Sequence, residues 1–197
     1  ANTTASNNTA VGKGAITSNT TGQQLTALGS LALENNTTAS GNTAIGSKAL
    51  RANTTGHTNT AVGQQALLSN VDGFRNTALG NDTLRSNTQG VENVAVGSFA
   101  LDLSTTASNN VALGFNSLNA CTTGGGNTAV GSNAGKSVTT AVNICAVGST
   151  CLDAVTTGVS NTGVGNGALS TVTTHYDNVA VGTSAMGGAT ANQCVAM

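Results

Sequence analysis

The densest group of side chains that could do chemistry is His175-Tyr176-Asp177, an imidazole, a phenol and a carboxylate in direct succession. A catalytic site needs such groups to converge with a nucleophile or a second acid, and the chain's seven acidic residues are scattered over surface positions. Gly124-Gly125-Gly126 lacks the lysine and helix that follow a phosphate-binding loop. We therefore expect an exposed turn at His175 and a loose corner at Gly124, and we predict no enzymatic activity.

The cysteines and histidines do not have the spacing of a metal site. There is no C-x-x-C pair, and His57 and His175 fall at unrelated places in the sequence pattern. We expect no metal and no cofactor. Cys121 and Cys194 are far apart in the pattern and are expected to stay unpaired.

Cys145 and Cys151 both replace a small consensus residue within one repeat. One interpretation is two near-isosteric substitutions; the other is a disulfide, which would imply an oxidising, extracellular setting. We predict that the two cysteines lie across the same coil and can bond.

A glycine recurs every 17 residues along the whole chain, without insertion or deletion. These corner glycines are Gly12, Gly29, Gly46, Gly63, Gly80, Gly97, Gly114, Gly131, Gly148, Gly165 and Gly182. A short fixed period is typical of a solenoid, in which each repeat forms one coil that stacks on the next. The sequence predicts one domain, residues 1–197, folded as an all-β parallel solenoid of eleven coils. The glycines are expected at corners with positive φ.

Residues at the same place in successive repeats form columns, and two columns are almost entirely large and apolar. The aliphatic column, directly before each corner glycine, is Val11, Leu28, Ile45, Val62, Leu79, Val96, Leu113, Val130, Val147, Val164 and Val181. The leucine column, four residues after each corner glycine, is Ile16, Leu33, Leu50, Leu67, Leu84, Leu101, Leu118, Leu152, Leu169 and Met186, with a gap at Gly135. Exposure would forfeit about 1.5–3 kcal/mol per side chain, so both columns are expected in the core.

Strand alternation assigns the neighbouring columns. The threonine column, three residues before each glycine, is expected to line the core: Thr9, Thr26, Thr43, Thr60, Thr77, Val94, Val111, Thr128, Cys145, Thr162 and Val179. Two alanine columns, two residues before and three after the glycine, are expected to face away from it. Persistent alanine indicates that another backbone passes close by, either the opposite wall of the same coil or a neighbouring chain. We predict that the two columns form a stripe packed between three parallel chains, with these interface residues: Ala44, Ala61, Ala78, Ala95, Ala112 and Ala129.

Polar residues are expected outside or between coils. Charged side chains avoid the aliphatic and alanine columns, which indicates a solvent-facing position. An asparagine column, four residues before the glycine, could stack as an amide ladder: Asn8, Asn42, Asn59, Asn76, Asn93, Asn110, Asn127, Asn161 and Asn178.

Composition excludes several classes of function. The net charge is −1 with no basic cluster, which argues against nucleic acid binding, since phosphate neutralisation needs many Lys and Arg. No run of 18 apolar residues occurs, so no membrane span is expected. Because the chain has no initiator Met and stops three residues into a twelfth repeat, we expect a segment of a longer fibre protein.

Two surface features could bind a ligand. Paired threonines such as Thr37-Thr38 and Thr54-Thr55 would stack about 4.8 Å apart, an array suited to ice, although Asp72, Gln89 and Ala191 interrupt it. Aromatic residues are rare, and exposed ones are common recognition anchors for a sugar or a protein. The candidate contacts are Phe74, Phe99, Phe115 and Tyr176.

The repeat that begins Asn59-Thr60-Ala61-Val62-Gly63 resembles the head repeats of YadA-type trimeric autotransporter adhesins, and equally the repetitive shafts of phage tail fibres. The resemblance implies a left-handed parallel β-roll, a homotrimer, an adhesive surface and no cofactor. Those heads repeat every 14 residues, three fewer than this chain. The expected function is a fibre shaft or adhesin head, extracellular or on a virion, that meets a glycan or protein receptor. The alternative is an ice-binding solenoid.

Overall fold

The computed structural model describes residues 4–188 and 192–196 and confirms an all-β parallel solenoid, with no helix in those ranges. Twelve short strands form a single sheet in chain order, each paired in parallel with the next. Partners are 17 residues apart, as in Thr43 opposite Thr60, until the last pair, Val179 opposite Val195. The strands are β1 Thr9–Val11, β2 Thr26–Leu28, β3 Thr43–Ile45, β4 Thr60–Val62, β5 Thr77–Leu79, β6 Val94–Val96, β7 Val111–Leu113, β8 Thr128–Val130, β9 Cys145–Val147, β10 Thr162–Val164, β11 Val179–Val181 and β12 Val195–Ala196.

The corner glycines end β1 to β11, and both conformation and space require them. Their φ angles run from 123° to 143°, a region that L side chains rarely adopt. A Cβ on any of them from Gly12 to Gly165 would lie 2.2–2.9 Å from the carbonyl oxygen of the corner glycine in the next coil. The predicted positive-φ corners are confirmed, and close stacking of successive coils is the second reason for glycine.

The strand residues face the opposite way from the prediction. Ala44, Ala61, Ala78, Ala95, Ala112 and Ala129 are fully buried inside the coil. The second alanine column is also buried at Ala32, Ala49, Ala66, Ala100, Ala134 and Ala168. The aliphatic and threonine columns point outward, with Val11 55% and Leu28 47% exposed. Alternation was assigned correctly, but the core expectation for these two columns was wrong.

The reason for this reversal is the narrowness of the coil beside the strand. Gly163 takes the place of an alanine in this column, and a Cβ there would lie 2.6 Å from Cys151 Sγ and 3.4 Å from Leu152 Cδ1. The strand alanines therefore pack against the second alanine column and the leucine column of the preceding coil. Only a methyl group fits in that gap, because larger side chains would overpack it.

The leucine column fills the centre of the coil, as predicted. Its eight leucines are fully buried and have φ between 48° and 54°. A left-handed conformation destabilises each of these residues by about 1–2 kcal/mol. Burial of each leucine side chain stabilises the fold by about 1.5–3 kcal/mol. This stabilisation is as large as the strain or larger, and offsets it.

The gap in the leucine column at Gly135 is filled by neighbouring substitutions. A Cβ on Gly135 would lie 2.9 Å from Leu118 Cδ2 and 3.5 Å from both Val138 Cγ2 and Ile144 Cδ1. Ile144 stands in the asparagine column, where both adjacent coils have asparagine, Val138 follows Cys121 in its own column, and both are buried. The packed centre thus continues through this coil with a different set of side chains.

The predicted asparagine column is buried and joins successive coils, mainly through the backbone. Asn59 Nδ2 donates to Gly73 O at 2.9 Å, and Asn59 Oδ1 accepts the N–H of Asn76 at 2.9 Å. Side chain to side chain bonds are fewer, as between Asn93 Nδ2 and Asn76 Oδ1 at 3.0 Å. Each amide therefore replaces backbone partners at the place where the chain enters the strand.

A second asparagine column was missed by the sequence analysis. In this inner ladder each side-chain amide donates to the amide oxygen of the preceding coil at 2.7–3.0 Å. Its members are Asn19, Asn36, Asn53, Asn70 and Asn87, and all are fully buried. Their strict 17-residue spacing was a usable signal. The ladder ends at Ser104, and Cys121, Val138, Val155 and Val172 occupy the column above it.

Within the described residues, three ion pairs join charged residues of adjacent coils. Arg51 Nε lies 2.6 Å from Glu34 Oε2, and Arg75 Nη1 lies 2.9 Å from Glu92 Oε1. The third acid, Asp102, is buried against the expectation for charged residues, and it pairs with Arg85 Nε at 2.9 Å. Burial raises the pKa of Asp102, while the adjacent Arg85 acts in the opposite direction.

Candidate functional site

The largest regular surface is the outer face of the sheet, formed by the outward aliphatic and threonine columns, and is called the sheet face below. Each coil contributes one rung of two side chains, such as Thr60 and Val62. Strand register keeps the rungs aligned from β1 to β11. Neither column contains a charged residue.

The sheet face is a flat, apolar strip in the isolated chain. At the strand spacing of about 4.8 Å, eleven rungs extend roughly 50 Å. Val11, Leu28, Val94, Val164 and Val181 are the most exposed of its aliphatic residues, and the others are half-buried by their neighbours. Monomeric proteins rarely expose a contiguous apolar patch of this extent. The arrangement is suited to contact with another flat, uncharged surface.

The middle of the sheet face is its most apolar part. At β6 and β7 the threonine column holds Val94 and Val111, so both residues of each rung are aliphatic. Phe99 and Phe115 lie just past the ends of these strands, with ring centroids 6.0 Å apart in an edge-to-face arrangement. Phe115 is 49% exposed.

The paired threonines form a second regular surface on a different side of the coil. The first threonine of a pair donates its hydroxyl to the backbone of the next coil, as Thr37 Oγ1 does to Thr54 O at 3.1 Å. The second threonine of each pair is exposed. These residues form a row along the rod, called the threonine file below: Thr21, Thr38, Thr55, Thr106, Thr123, Thr140, Thr157 and Thr174. Asp72 and Gln89 interrupt this file and bond to each other at 3.2 Å. The third predicted interruption, Ala191, lies outside the described residues.

Phe74 belongs to a stacked group rather than a free platform. The His57 ring stacks on Phe74 with centroids 4.9 Å apart and an interplanar angle of 12°. Arg75 lies over the Phe74 ring, 5.5 Å from its centroid, and also pairs with Glu92. Its two neighbours therefore occupy much of the ring's contact surface.

The His175-Tyr176-Asp177 segment is irregular, with Tyr176 and Asp177 exposed. His175 O accepts a bond from Asn161 Nδ2 at 2.7 Å, which ties the turn to the asparagine column. His175 Nδ1 is buried without a hydrogen-bond partner among the described residues. No nucleophile or second acid from the described residues is bonded to this imidazole.

The predicted disulfide does not form, and all four cysteines are free among the described residues. Cys145 lies in the outward threonine column, whereas Cys151 is fully buried in the coil. Their side chains are on opposite sides of the sheet wall, so the prediction was wrong. Cys121 and Cys194 are unpaired as predicted. Burial raises the pKa of the Cys121 and Cys151 thiols to about 11 each.

The described residues contain no cluster of three or more His, Cys, Asp or Glu that could hold a metal ion. Within the same ranges, no helix is long and apolar enough to span a membrane. An open depression on the coil surface is lined by Asn35, Arg51, Ala52, Leu68 and Ser69. Arg51 is the one charged residue among them.

Comparison of the chain with protein-family models, with curated proteins and with solved structures gives no match.

Proposed function

We propose that this chain is a structural segment of a fibre or adhesin, extracellular or on a virion, whose copies associate side by side through the sheet face. The observation that carries the proposal is the uncharged, aliphatic strip along the whole sheet. Burial of this strip between copies would remove it from water and stiffen the rod. The proposal includes no catalytic activity and no cofactor.

The assembly we propose is a parallel homotrimer. The number three follows the resemblance to adhesin heads, while the interface is moved from the buried alanines to the outward aliphatic column. A two-residue rung every 4.8 Å or so offers each neighbour the same contact along the rod. A closed threefold arrangement would let every chain bury part of its sheet face.

The attachment surface we propose lies on the sides left open by that assembly. Tyr176 is exposed on a turn, and Phe74, which occupies the same column six coils earlier, stacks with His57. Aromatic side chains flanked by Arg75, Glu92 and Asp177 have the chemistry to contact a glycan or a protein receptor.

Light scattering on the purified chain tests the association. We expect a trimer for the parent chain and a monomer for V62K/L79K/V96K, because three lysines on the sheet face would repel and could not be desolvated. The matched control is T106K/T123K/T140K, three lysines in the exposed threonine file, which should stay trimeric. A parent chain that is monomeric at all accessible concentrations would remove the basis of the proposal.

Ice binding is the second candidate function, and the exposed threonine file favours it. Its hydroxyls repeat at the strand spacing along the rod, with interruptions at Asp72 and Gln89. Thermal hysteresis and ice recrystallisation assays separate the two candidates. Hysteresis in the parent that is lost in T106K/T123K/T140K and kept in V62K/L79K/V96K would favour the ice-binding function over the fibre.

A further inference from the structure

Most departures from the repeat pattern inside the coil are compensated by a neighbour. Gly163 makes room for Cys151, and Val138 with Ile144 fills the gap at Gly135. Such pairs preserve packing, so they need no explanation beyond stability.

Two departures, Val94 in the middle of the sheet face and Phe115 just past the end of its strand, have no compensation of this kind. Val94 is 38% exposed and Phe115 is 49% exposed, so neither completes the chain's own core. Most other repeats place Thr at the first position and polar residues such as Ser132 or Asn166 at the second. The exceptions at the first position are Val111, Cys145 and Val179. Both substitutions add apolar surface, in the adjacent sixth and seventh coils.

The six residues concerned are called the central apolar cluster: Val94, Val96, Phe99, Val111, Leu113 and Phe115. They belong to the sixth and seventh coils of eleven, halfway along the sheet. Residues that dominate binding energy tend to be large, apolar and near the centre of an interface. The two phenylalanine rings attract each other in their edge-to-face arrangement, which holds them in place before contact.

We propose that the central apolar cluster is the anchor that fixes the axial register when copies of this chain meet through the sheet face. The inference rests on the proposed function, because it takes a second copy of the chain as the partner. That partner is favoured because a charge-free strip with one rung per coil is matched in spacing by another copy of the same strip.

The register needs such an anchor because the other rungs are nearly equivalent. A slip of one rung, about 4.8 Å, replaces Thr60 and Val62 by Thr77 and Leu79 with little change in contact. A repeating interface of this kind specifies register weakly unless something breaks the repetition. The central apolar cluster breaks it, since a slip of one rung would set one of each copy's two valine rungs against a threonine, and a slip of two rungs would set both against threonines or Cys145.

The experiment moves the two valines without changing composition. In the full chain, V94T/V111T/T43V/T60V transfers the apolar rungs from the sixth and seventh coils to the third and fourth, away from the phenylalanines. Each new residue already occurs in its column, so folding should be unaffected, as circular dichroism would check. We expect the dissociation constant from analytical ultracentrifugation to rise tenfold or more, while T43V/T60V alone leaves it equal or lower.

A second variant and a length measurement complete the test. F115S should also weaken association tenfold or more, without depending on the valine exchange. Small-angle X-ray scattering should show that the parent assembly is as long as one chain. The assemblies of the weakened variants should be longer or of mixed length. Unchanged affinity in both F115S and the relocated variant, or a parent assembly longer than one chain, would overturn the anchor while leaving the proposed function intact. A monomeric parent would instead overturn the proposed function, and the anchor with it.

Discussion

Gly163 lies directly over Cys151, and a Cβ on Gly163 would be 2.6 Å from the Cys151 sulfur. Gly163 is the one glycine in the first alanine column, which lies on the strands. Opposite Gly163, in the preceding coil, Cys151 replaces an alanine of the second alanine column. The larger side chain on one wall is thus matched by a smaller one on the other. The pair shows how tightly the coil interior limits volume beside the strand.

This pairing predicts a strong energetic coupling. G163A should destabilise the chain by about 1–3 kcal/mol, because the new methyl group overpacks the sulfur. The double variant C151A/G163A restores the alanine pair found in other coils and should recover most of that loss. Urea denaturation of the parent, both single variants and the double variant gives the coupling energy. Additive effects of the two changes would contradict the packing account.

A second prediction concerns the asparagine column. N59A removes the acceptor of the Asn76 N–H and one of the donors to Gly73 O, both in a buried place. We expect a loss of about 2–4 kcal/mol, since an orphaned buried group costs about 1–3 kcal/mol and a small cavity adds to it. The control is N35A, because Asn35 is exposed. Equal melting temperatures for N59A and N35A would show that the asparagine bonds are dispensable.

The fold could be predicted from the sequence because its period is strict. The 17-residue spacing indicated stacked parallel coils, and the glycine and leucine columns were placed correctly. The facing of the strands was wrong because size was taken as the guide to burial. Ala61 is inside and Val62 outside, since the gap between walls admits only a methyl group there. That gap depends on the path of the whole coil, which the pattern alone does not reveal.

The candidate surface was correspondingly misplaced. The expected interface residues, Ala44 to Ala129 in the strand column, line the interior, and the apolar strip lies on the columns assigned to the core. Of the candidate contacts, Phe99 and Phe115 are brought together in the structure. Left-handed φ angles at leucines such as Leu67 were not foreseen, because leucine has no preference for that region.

A third prediction follows from the end of the inner ladder. Asn87 Oδ1 and Ser104 Oγ are both buried without a hydrogen-bond partner among the described residues. S104N extends the ladder by one coil: its amide could donate to Asn87 Oδ1, which leaves one orphaned atom instead of two. We expect stabilisation by about 0.5–1.5 kcal/mol, whereas S104A, which only deletes the hydroxyl, should gain less. Thermal unfolding that ranks S104A above S104N would contradict the ladder account.

The last prediction uses the buried thiol of Cys121. Burial raises its pKa to about 11, against roughly 8.5 for a free thiol. Between these values the folded chain holds a proton that the unfolded chain has lost. The stabilisation is therefore complete below about pH 8.5, and the free energy of unfolding falls as pH rises towards 11.

C121V places at this position the valine found in the next three coils, at Val138, Val155 and Val172, and removes the titrating group. Because all other titrating groups are the same in both proteins, the difference in stability between parent and C121V isolates the Cys121 contribution. Urea denaturation from pH 7 to pH 10.5 should show a steeper loss for the parent, and parallel pH profiles would mean that the Cys121 thiol ionises equally well in the folded chain.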